Sequence, residues 1–194
     1  MIIGIMGGVG SGKSTVLEYL EKQYHACIIQ SDLVAKEIMT KGHEVCSRVL
    51  KEFPDVNCNG NIDRNKLAEI VFHDEEKLKK LNSITHPGTI LEIRKRISEC
   101  SCSVIVVESA LMIGSGIEND CDELWFIYCE KEERIARLMQ SRGYSRQKAM
   151  DIISSQPSDE AYNCYADEFI DNTGSPENTQ EQIDFVMNKD GCQV

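Results

Sequence analysis

Long hydrophobic runs are missing from this chain, since none approaches the roughly 20 consecutive apolar residues that a membrane-spanning helix needs. The first residues also lack the basic segment and cleavage site of a secretory leader. Internal repeats and low-complexity tracts are absent too. We therefore expect a cytoplasmic protein with no membrane partner. Its 194 residues suffice for one well-buried core with a small appendage.

Disulfide and metal motifs are also missing. The nine cysteines are scattered, and no two of them form a Cys-x-x-Cys pair. The four histidines show no metal-ligand spacing. We expect most of the thiols to be buried and to act as small hydrophobic side chains.

Positive charge is scarce, because the formal net charge is −11. This disfavours nucleic acid as a partner, since a phosphate backbone requires a basic face. The basic residues are nevertheless concentrated in one segment that contains no acid, which predicts a local anion site. A solvated basic helix face is the alternative. The segment carries Arg134, Arg137, Arg142, Arg146 and Lys148.

The sequence does contain a glycine-rich stretch, GGVGSGKS, from Gly7 to Ser14. It lies between an apolar run suited to a buried strand and a segment with helical apolar periodicity. In that setting the backbone amides cradle phosphates, the lysine reaches the β- and γ-phosphates, and the serine hydroxyl ligates Mg²⁺. We predict an ATP-type triphosphate site, with Ser14 as the metal ligand. Its residues are Gly8, Val9, Gly10, Ser11, Gly12, Lys13, Ser14 and Thr15.

Further apolar runs alternate with helical patterns and predict an α/β protein with a parallel sheet. Strands are expected near 26–29, 103–108, 123–129 and 169–170. Residues 42–100 have helical patterns and no clear strand, and Thr85-His86-Pro87 interrupts the periodicity. Because this segment is too long for a plain crossover, it predicts a separate helical lobe that holds an acceptor.

Asp32 stands at the end of the second predicted strand and at the start of a helix. A carboxylate at this edge of a parallel sheet is typical of a catalytic group. Aspartate is equally typical of a helix N-cap. The pattern alone leaves both interpretations open.

Taken in order, several landmarks resemble the dephospho-CoA kinase family over roughly residues 1 to 185. The phosphate loop is followed by Ser31-Asp32 and by Ile62-Asp63-Arg64. The stretch LNSITHP, which ends at Pro87, is the most telling match after the loop. Ser155-Gln156 and the run ADEFIDNTG, which ends at Gly174, complete the series.

This resemblance implies transfer of the γ-phosphoryl group of ATP to the ribose 3′-hydroxyl of dephospho-CoA, with Mg²⁺. It implies a single P-loop kinase domain related to nucleoside-monophosphate kinases, as a monomer or small homo-oligomer. The core would comprise about 1–40, 103–130 and 166–194. A helical acceptor lobe would span about 42–100, and a helical lid about 131–156.

The resemblance also assigns roles to individual residues. Asp32 matches the catalytic base, which favours the catalytic interpretation, while Lys13 and a lid arginine would act on the phosphates. That arginine is Arg142 or Arg137, because the family spacing is shifted by one residue here. Asn172 would lie near the adenine. The acceptor side would include Asp32, Arg64, His86 and Glu108, with a capping or core role as the alternative for His86.

Three positions depart from the family pattern, namely Gln30, Pro54, and Gly114 with the nearby Ala110.

Two other functions compete with the main interpretation. One is another small-molecule or nucleotide kinase of the same fold. The other is a guanine-nucleotide switch, because Asp171 to Gly174 matches D-x-x-G. That motif comes about 160 residues after the loop, however, and the base-reading N-K-x-D is missing.

Overall fold

The computed structural model describes residues 1–109 and 112–189. Ala110 and residues 190–194 of the predicted core lie outside this range. The helices are α1 (Lys13–Tyr24), α2 (Ser31–Ile38), α3 (Glu44–Glu52), α4 (Arg64–Phe72), α5 (Glu75–Glu99), α6 (Lys131–Arg142), α7 (Arg146–Ser154), α8 (Asp159–Asn163) and α9 (Pro176–Lys189). The strands are β1 (Ile2–Met6), β2 (Cys27–Gln30), β3 (Asn57–Cys58), β4 (Asn61–Ile62), β5 (Ile105–Glu108), β6 (Glu123–Tyr128) and β7 (Glu168–Asp171).

The main sheet has five strands in the order β2-β5-β1-β6-β7. Strand β1 runs parallel to both β5 and β6, and β6 runs parallel to β7. The α/β prediction with a parallel sheet is thus confirmed. In this register Ile5 pairs with Glu108, so the carboxyl ends of β1 and β5 lie side by side. That edge is where parallel sheets place their ligands.

Helices α1 and α9 cover the sheet and bury its apolar face. Trp125, Leu20 and Ile183 are fully buried in this core. Burial of such side chains contributes about 1.5–3 kcal/mol each, which offsets the entropy of ordering the chain. The hydroxyls of Tyr19 and Tyr24 also both donate to Asp184, at 2.8 and 2.7 Å. These contacts fix α1, the helix that follows the phosphate loop.

The chain divides into two compact units. The first comprises Met1–Ile28 and the chain from Ser101 onward, and the second is Ile29–Cys100. The boundary falls within β2. The second unit is mostly helical, but it contains the short β3–β4 hairpin that the sequence did not predict. Asn59 and Gly60 turn this hairpin with positive φ angles of 54° and 83°.

Helix α5 continues through Pro87, so the predicted interruption at Thr85-His86-Pro87 is wrong. Proline costs a helix one hydrogen bond, but tertiary packing overrides that preference here. Ile84 and Ile93 are buried, and a Cβ at Gly88 would collide with Val45 of α3. The close approach of α3 and α5 therefore holds the helix together. Although α5 has 25 residues, no helix within 1–109 and 112–189 is apolar enough to cross a membrane.

The expectation that most thiols are buried is wrong for the described cysteines. Cys46 and Cys129 are buried, whereas Cys58, Cys102 and Cys164 are exposed and the other three are half-buried. Burial, followed by the charges of nearby acids, raises the pKa of Cys121 to about 12. That thiol stays protonated near neutral pH and is a poor nucleophile.

Candidate active site

The phosphate loop, Gly7–Ser14, connects β1 to α1 in the first unit. Its curvature depends on glycine, because Gly10 and Gly12 have φ angles of 80° and 85°. Two side chains also pack closely against the glycines of the loop. A Cβ at Gly8 would collide with the Arg134 guanidinium, and one at Gly12 would collide with the Asn172 amide. The predicted strand-loop-helix arrangement is confirmed.

The Lys13 ammonium lies over its own loop. It donates to the Gly7 carbonyl at 2.9 Å and to the Gly8 carbonyl at 3.4 Å. Its Nζ atom is also 3.8 Å from a carboxylate oxygen of Glu108. The side chains of Lys13 and Glu108 are only 17% and 15% exposed, so little water screens this pair. The lysine thus brings a weakly screened positive charge to the loop.

Glu108, predicted on the acceptor side, ends strand β5 in the first unit. Since it pairs in register with Ile5, it stands at the sheet edge from which the phosphate loop emerges. Ser14 and Thr15 lie in the first turn of α1, and their side chains are exposed. The loop therefore has a hydroxyl and a carboxylate nearby, and oxygen ligands of this kind suit Mg²⁺.

Asn172, predicted near the adenine, is buried behind the loop. Its Nδ2 donates to the Ser11 carbonyl at 2.7 Å, and its Oδ1 accepts from the Thr179 hydroxyl at 2.9 Å. Arg137 joins the same cluster, since it donates to the Asn172 carbonyl at 2.8 Å and to the Ser11 carbonyl at 3.5 Å. Both residues contact the backbone of the phosphate loop.

Two further side chains hold the loop at Val9, and sequence reasoning gave neither a role there. Gln156 accepts from the Val9 N–H at 2.8 Å, and Arg134 donates to the Val9 carbonyl at 3.0 Å. Arg134 is only 4% exposed and also donates to Gln156 at 3.2 Å and to Asp159 at 3.4 Å. The available signals were the Ser155-Gln156 landmark and the basic segment. Neither indicated what the side chains would contact.

The basic segment forms α6 and α7, as predicted. Its charges are less isolated than the sequence indicated. Arg137 pairs with Glu133 at 3.0 Å, one helical turn earlier, and Arg146 pairs with Glu132 at 2.7 Å across the two helices. Arg142 differs from them. It is exposed at the end of α6 beside Gly143, and no ion pair or hydrogen bond of its side chain occurs within the described residues.

Asp32 belongs to the second unit, at the second position of α2. Gln30 is the N-cap, and no side chain caps this helix. The N-cap interpretation of Asp32 is therefore wrong, because the helix begins at Ser31, two residues earlier than that interpretation requires. Its carboxylate is exposed and accepts no hydrogen bond from any residue in the described part of the chain. Such a group remains available to a substrate.

Arg64 and His86 lie in the same unit. Arg64 begins α4 and donates to the Lys36 carbonyl on α2 at 2.9 Å, so it is tied to the helix that carries Asp32. The N-cap of α4 is Asp63, whose side chain accepts from the backbone amides of Asn65 and Lys66. His86 is exposed in the middle of α5, and it is thus neither a cap nor a core residue.

The departures from the family pattern are accommodated locally. Gln30 is the N-cap of α2, and Pro54 begins a short 3₁₀ turn after the buried Phe53. Gly114 has a φ of 79°, and its N–H donates to Glu118 at 2.8 Å in a tight turn. Glycine is favoured over a larger residue at that position.

Known proteins resemble this chain in sequence and in fold over nearly its whole length. The dephospho-CoA kinase family model matches residues 1–178. A dephospho-CoA kinase from Carboxydothermus hydrogenoformans is 42% identical over 193 residues, which cover 97% of this chain and 93% of that protein. The crystal structure of TT1252 from Thermus thermophilus has a TM-score of 0.84 at 27% identity, covering 100% of this chain and 98% of that one.

A dephospho-CoA kinase from Campylobacter jejuni has a TM-score of 0.67 at 26% identity, covering 97% of this chain and 96% of that one. Sequence and fold therefore match along nearly the whole length of these proteins. The resemblance found in the sequence is confirmed. This chain belongs to the dephospho-CoA kinase family.

Proposed function

We propose that this chain transfers the γ-phosphoryl group of ATP to the ribose 3′-hydroxyl of dephospho-CoA, giving coenzyme A and ADP. The observation that carries this proposal is the family match over residues 1–178, which includes the phosphate loop and the entire helical unit. A match to the loop alone would support only nucleotide binding, because many kinases share that fold.

The first unit binds ATP in this proposal. The amides of the phosphate loop and the Lys13 ammonium meet the phosphate charges, and Ser14 would hold Mg²⁺ with Glu108 nearby. The metal, when bound, neutralises charge that develops on the phosphates. Such positioning and neutralisation supply most of the catalysis in phosphoryl transfer.

The second unit supplies the acceptor side. Asp32 orients the ribose hydroxyl and accepts its proton while the oxygen bonds to the γ-phosphorus and the bond to ADP breaks. Arg64 and His86 have exposed side chains in this unit and would contact dephospho-CoA. The segment of about 42–100 serves as the acceptor lobe. ATP and dephospho-CoA are then the only partners that the proposal requires.

Acceptor choice tests this function directly. We expect Mg²⁺-dependent release of ADP with dephospho-CoA, and far weaker release with AMP, shikimate or adenosine. A coupled ADP assay measures all four, and a reaction without acceptor serves as the control for hydrolysis. Equal turnover of AMP and dephospho-CoA would overturn the assignment.

Within the predicted lid of about 131–156, residues 139–150 close over the phosphates in this proposal, with Arg142 as the arginine that reaches them. This choice is supported because Arg137 is bound to Glu133 and to Asn172, whereas Arg142 ends its helix at an exposed tip. A guanidinium there can form two parallel hydrogen bonds with a phosphate. The adjacent Gly143, with a φ of 63°, provides the turn to α7.

Hydrogen exchange tests the lid. We expect residues 139–150 to exchange rapidly in the free protein and to be protected when ATP and dephospho-CoA are both bound. Arg142→Ala should lower turnover more than it weakens dephospho-CoA binding, and Arg142→Lys should recover only part of the loss. Helix α9 is the internal reference. Equal protection of residues 139–150 with and without substrates would make this segment scaffold.

A further inference from the structure

Several amides of the phosphate loop have no hydrogen-bond acceptor among the described residues. They include the N–H groups of Gly10 and Gly12, whereas the Ser11 N–H between them donates to the Gly8 carbonyl at 3.2 Å and the Val9 N–H donates to Gln156 at 2.8 Å. Unpaired backbone amides are expensive unless water or a ligand satisfies them. An alternating pattern of this kind indicates that the two amides are kept for an anion.

The carbonyl that precedes each of these amides is held by a side chain. Arg134 donates to the Val9 carbonyl at 3.0 Å, and Asn172 donates to the Ser11 carbonyl at 2.7 Å. Each carbonyl belongs to the same peptide group as the following glycine amide. A trans peptide directs its C=O and N–H in opposite directions, and no cis bond occurs among the described residues. Fixing the carbonyl therefore fixes the direction of the amide.

We propose that Arg134 and Asn172 are positioning residues that turn the Gly10 and Gly12 amides toward the phosphates of the nucleotide. Gln156 supports Arg134 and holds the preceding peptide by accepting from the Val9 N–H at 2.8 Å. This inference rests on the proposed function in one respect, which is that the bound phosphates belong to ATP. It assigns these side chains a role behind the loop rather than in contact with the substrate.

The loop needs such support because the backbone at its glycines is conformationally free. Gly10 and Gly12 lie in a backbone region that glycine leaves as readily as it enters, so the peptides beside them would otherwise reorient. A reoriented peptide presents a carbonyl to the phosphate, which repels it. Donors that are already oriented cost no reorganisation when the substrate binds. The buried Arg134 guanidinium, bonded to Val9, Gln156 and Asp159, is itself fixed by its partners.

The wild-type protein permits a first test that requires no mutation. With ¹⁵N-glycine labelling, inorganic tripolyphosphate should shift the amide resonances of Gly10 and Gly12 and leave those of Gly42 and Gly60 in place. Because tripolyphosphate lacks both the nucleoside and the acceptor, this result is independent of which acceptor the enzyme uses. Unchanged Gly10 and Gly12 resonances at saturating tripolyphosphate would overturn the proposal.

Variants then test the side chains. Arg134→Met and Gln156→Met should weaken tripolyphosphate binding roughly tenfold, about the effect of losing one hydrogen-bonded contact. The KM for ATP should rise and kcat should fall. Arg134→Lys, which still donates to Val9, should recover part of the loss, as should Gln156→Glu, which keeps the acceptor. Gln23→Met on the exposed face of α1 is the control.

Calorimetry with tripolyphosphate and the melting temperature of each variant separate positioning from stability. Variants that melt near the wild-type temperature and still lose tripolyphosphate affinity support positioning. Full tripolyphosphate affinity in Arg134→Met would overturn it, as would an equal loss in Gln23→Met. If the methionine variants do not fold, Arg134→Lys and Gln156→Glu carry the same comparison. Wild-type turnover of AMP in place of dephospho-CoA would contradict only the proposed function.

Discussion

Replacing Lys13 with alanine should lower turnover by about 10²- to 10³-fold, the range for losing one preorganised donor at a charged transition state. The reason is the position of its ammonium group. It lies over the Gly7 and Gly8 carbonyls and beside a weakly exposed Glu108, so its charge is poorly screened. The same ammonium is available to the β- and γ-phosphates. The coupled ADP assay with dephospho-CoA measures the loss.

The matched control for this variant is Lys22→Ala. Lys22 is on the same helix, but it is exposed and pairs with Glu18 one turn away. We expect it to retain wild-type turnover. Lys13→Met should be compared with Lys13→Ala, because both remove the counter-ion of Glu108 and only methionine keeps the aliphatic stem. Nearly full activity in folded Lys13→Ala would mean that this loop is not the working nucleotide site.

Asp32→Asn is the second substitution with a large expected effect. It keeps the shape of the side chain and removes the proton acceptor, so turnover should fall by roughly 10²- to 10⁴-fold. The affinity for ATP should change little, because the loop that binds ATP is unaltered. Stability should change by less than about 1 kcal/mol, the usual effect of a carboxylate near a helix N-terminus. Single-turnover kinetics and nucleotide titrations separate these quantities.

Asp55→Asn provides a matched control for Asp32→Asn. It is an exposed aspartate of the same unit, in the short 3₁₀ turn after α3. We expect its turnover to equal that of the wild type. If Asp32→Asn has wild-type turnover and only a lower melting temperature, Asp32 is a structural residue of α2.

Helix α6 connects the support of the loop to the proposed lid. Arg134 lies near its first turn, and Arg142 ends it eight residues later, about 12 Å along the axis. Arg134 and the following Ile135 are buried and Arg134 is bonded to Val9, whereas the last turn is exposed. We therefore expect the tip to move during closure while the base stays fixed on the phosphate loop.

The sequence by itself determined the candidate nucleotide site, as a glycine-rich loop between a strand and a helix, and the class of fold. The pattern GGVGSGKS between a strand and a helix depends only on local backbone geometry and on neighbouring residues, so it can be read directly. Alternating strands and helices likewise predicted the parallel sheet. The ordered landmarks predicted the family, because they are spread over nearly the whole chain and their order is specific.

Only the tertiary structure decided what supports that site. The bonds from Arg134 and Gln156 to Val9, and from Asn172 to Ser11, join residues more than 100 positions apart. Local periodicity carries no information about such pairs, because the packing of α6, of the turn after α7 and of the end of β7 against the loop brings them together. Tertiary packing also explains why α5 continues through Pro87. Pro87 disfavours a helix locally, but the packing of Gly88 against Val45 outweighs that preference.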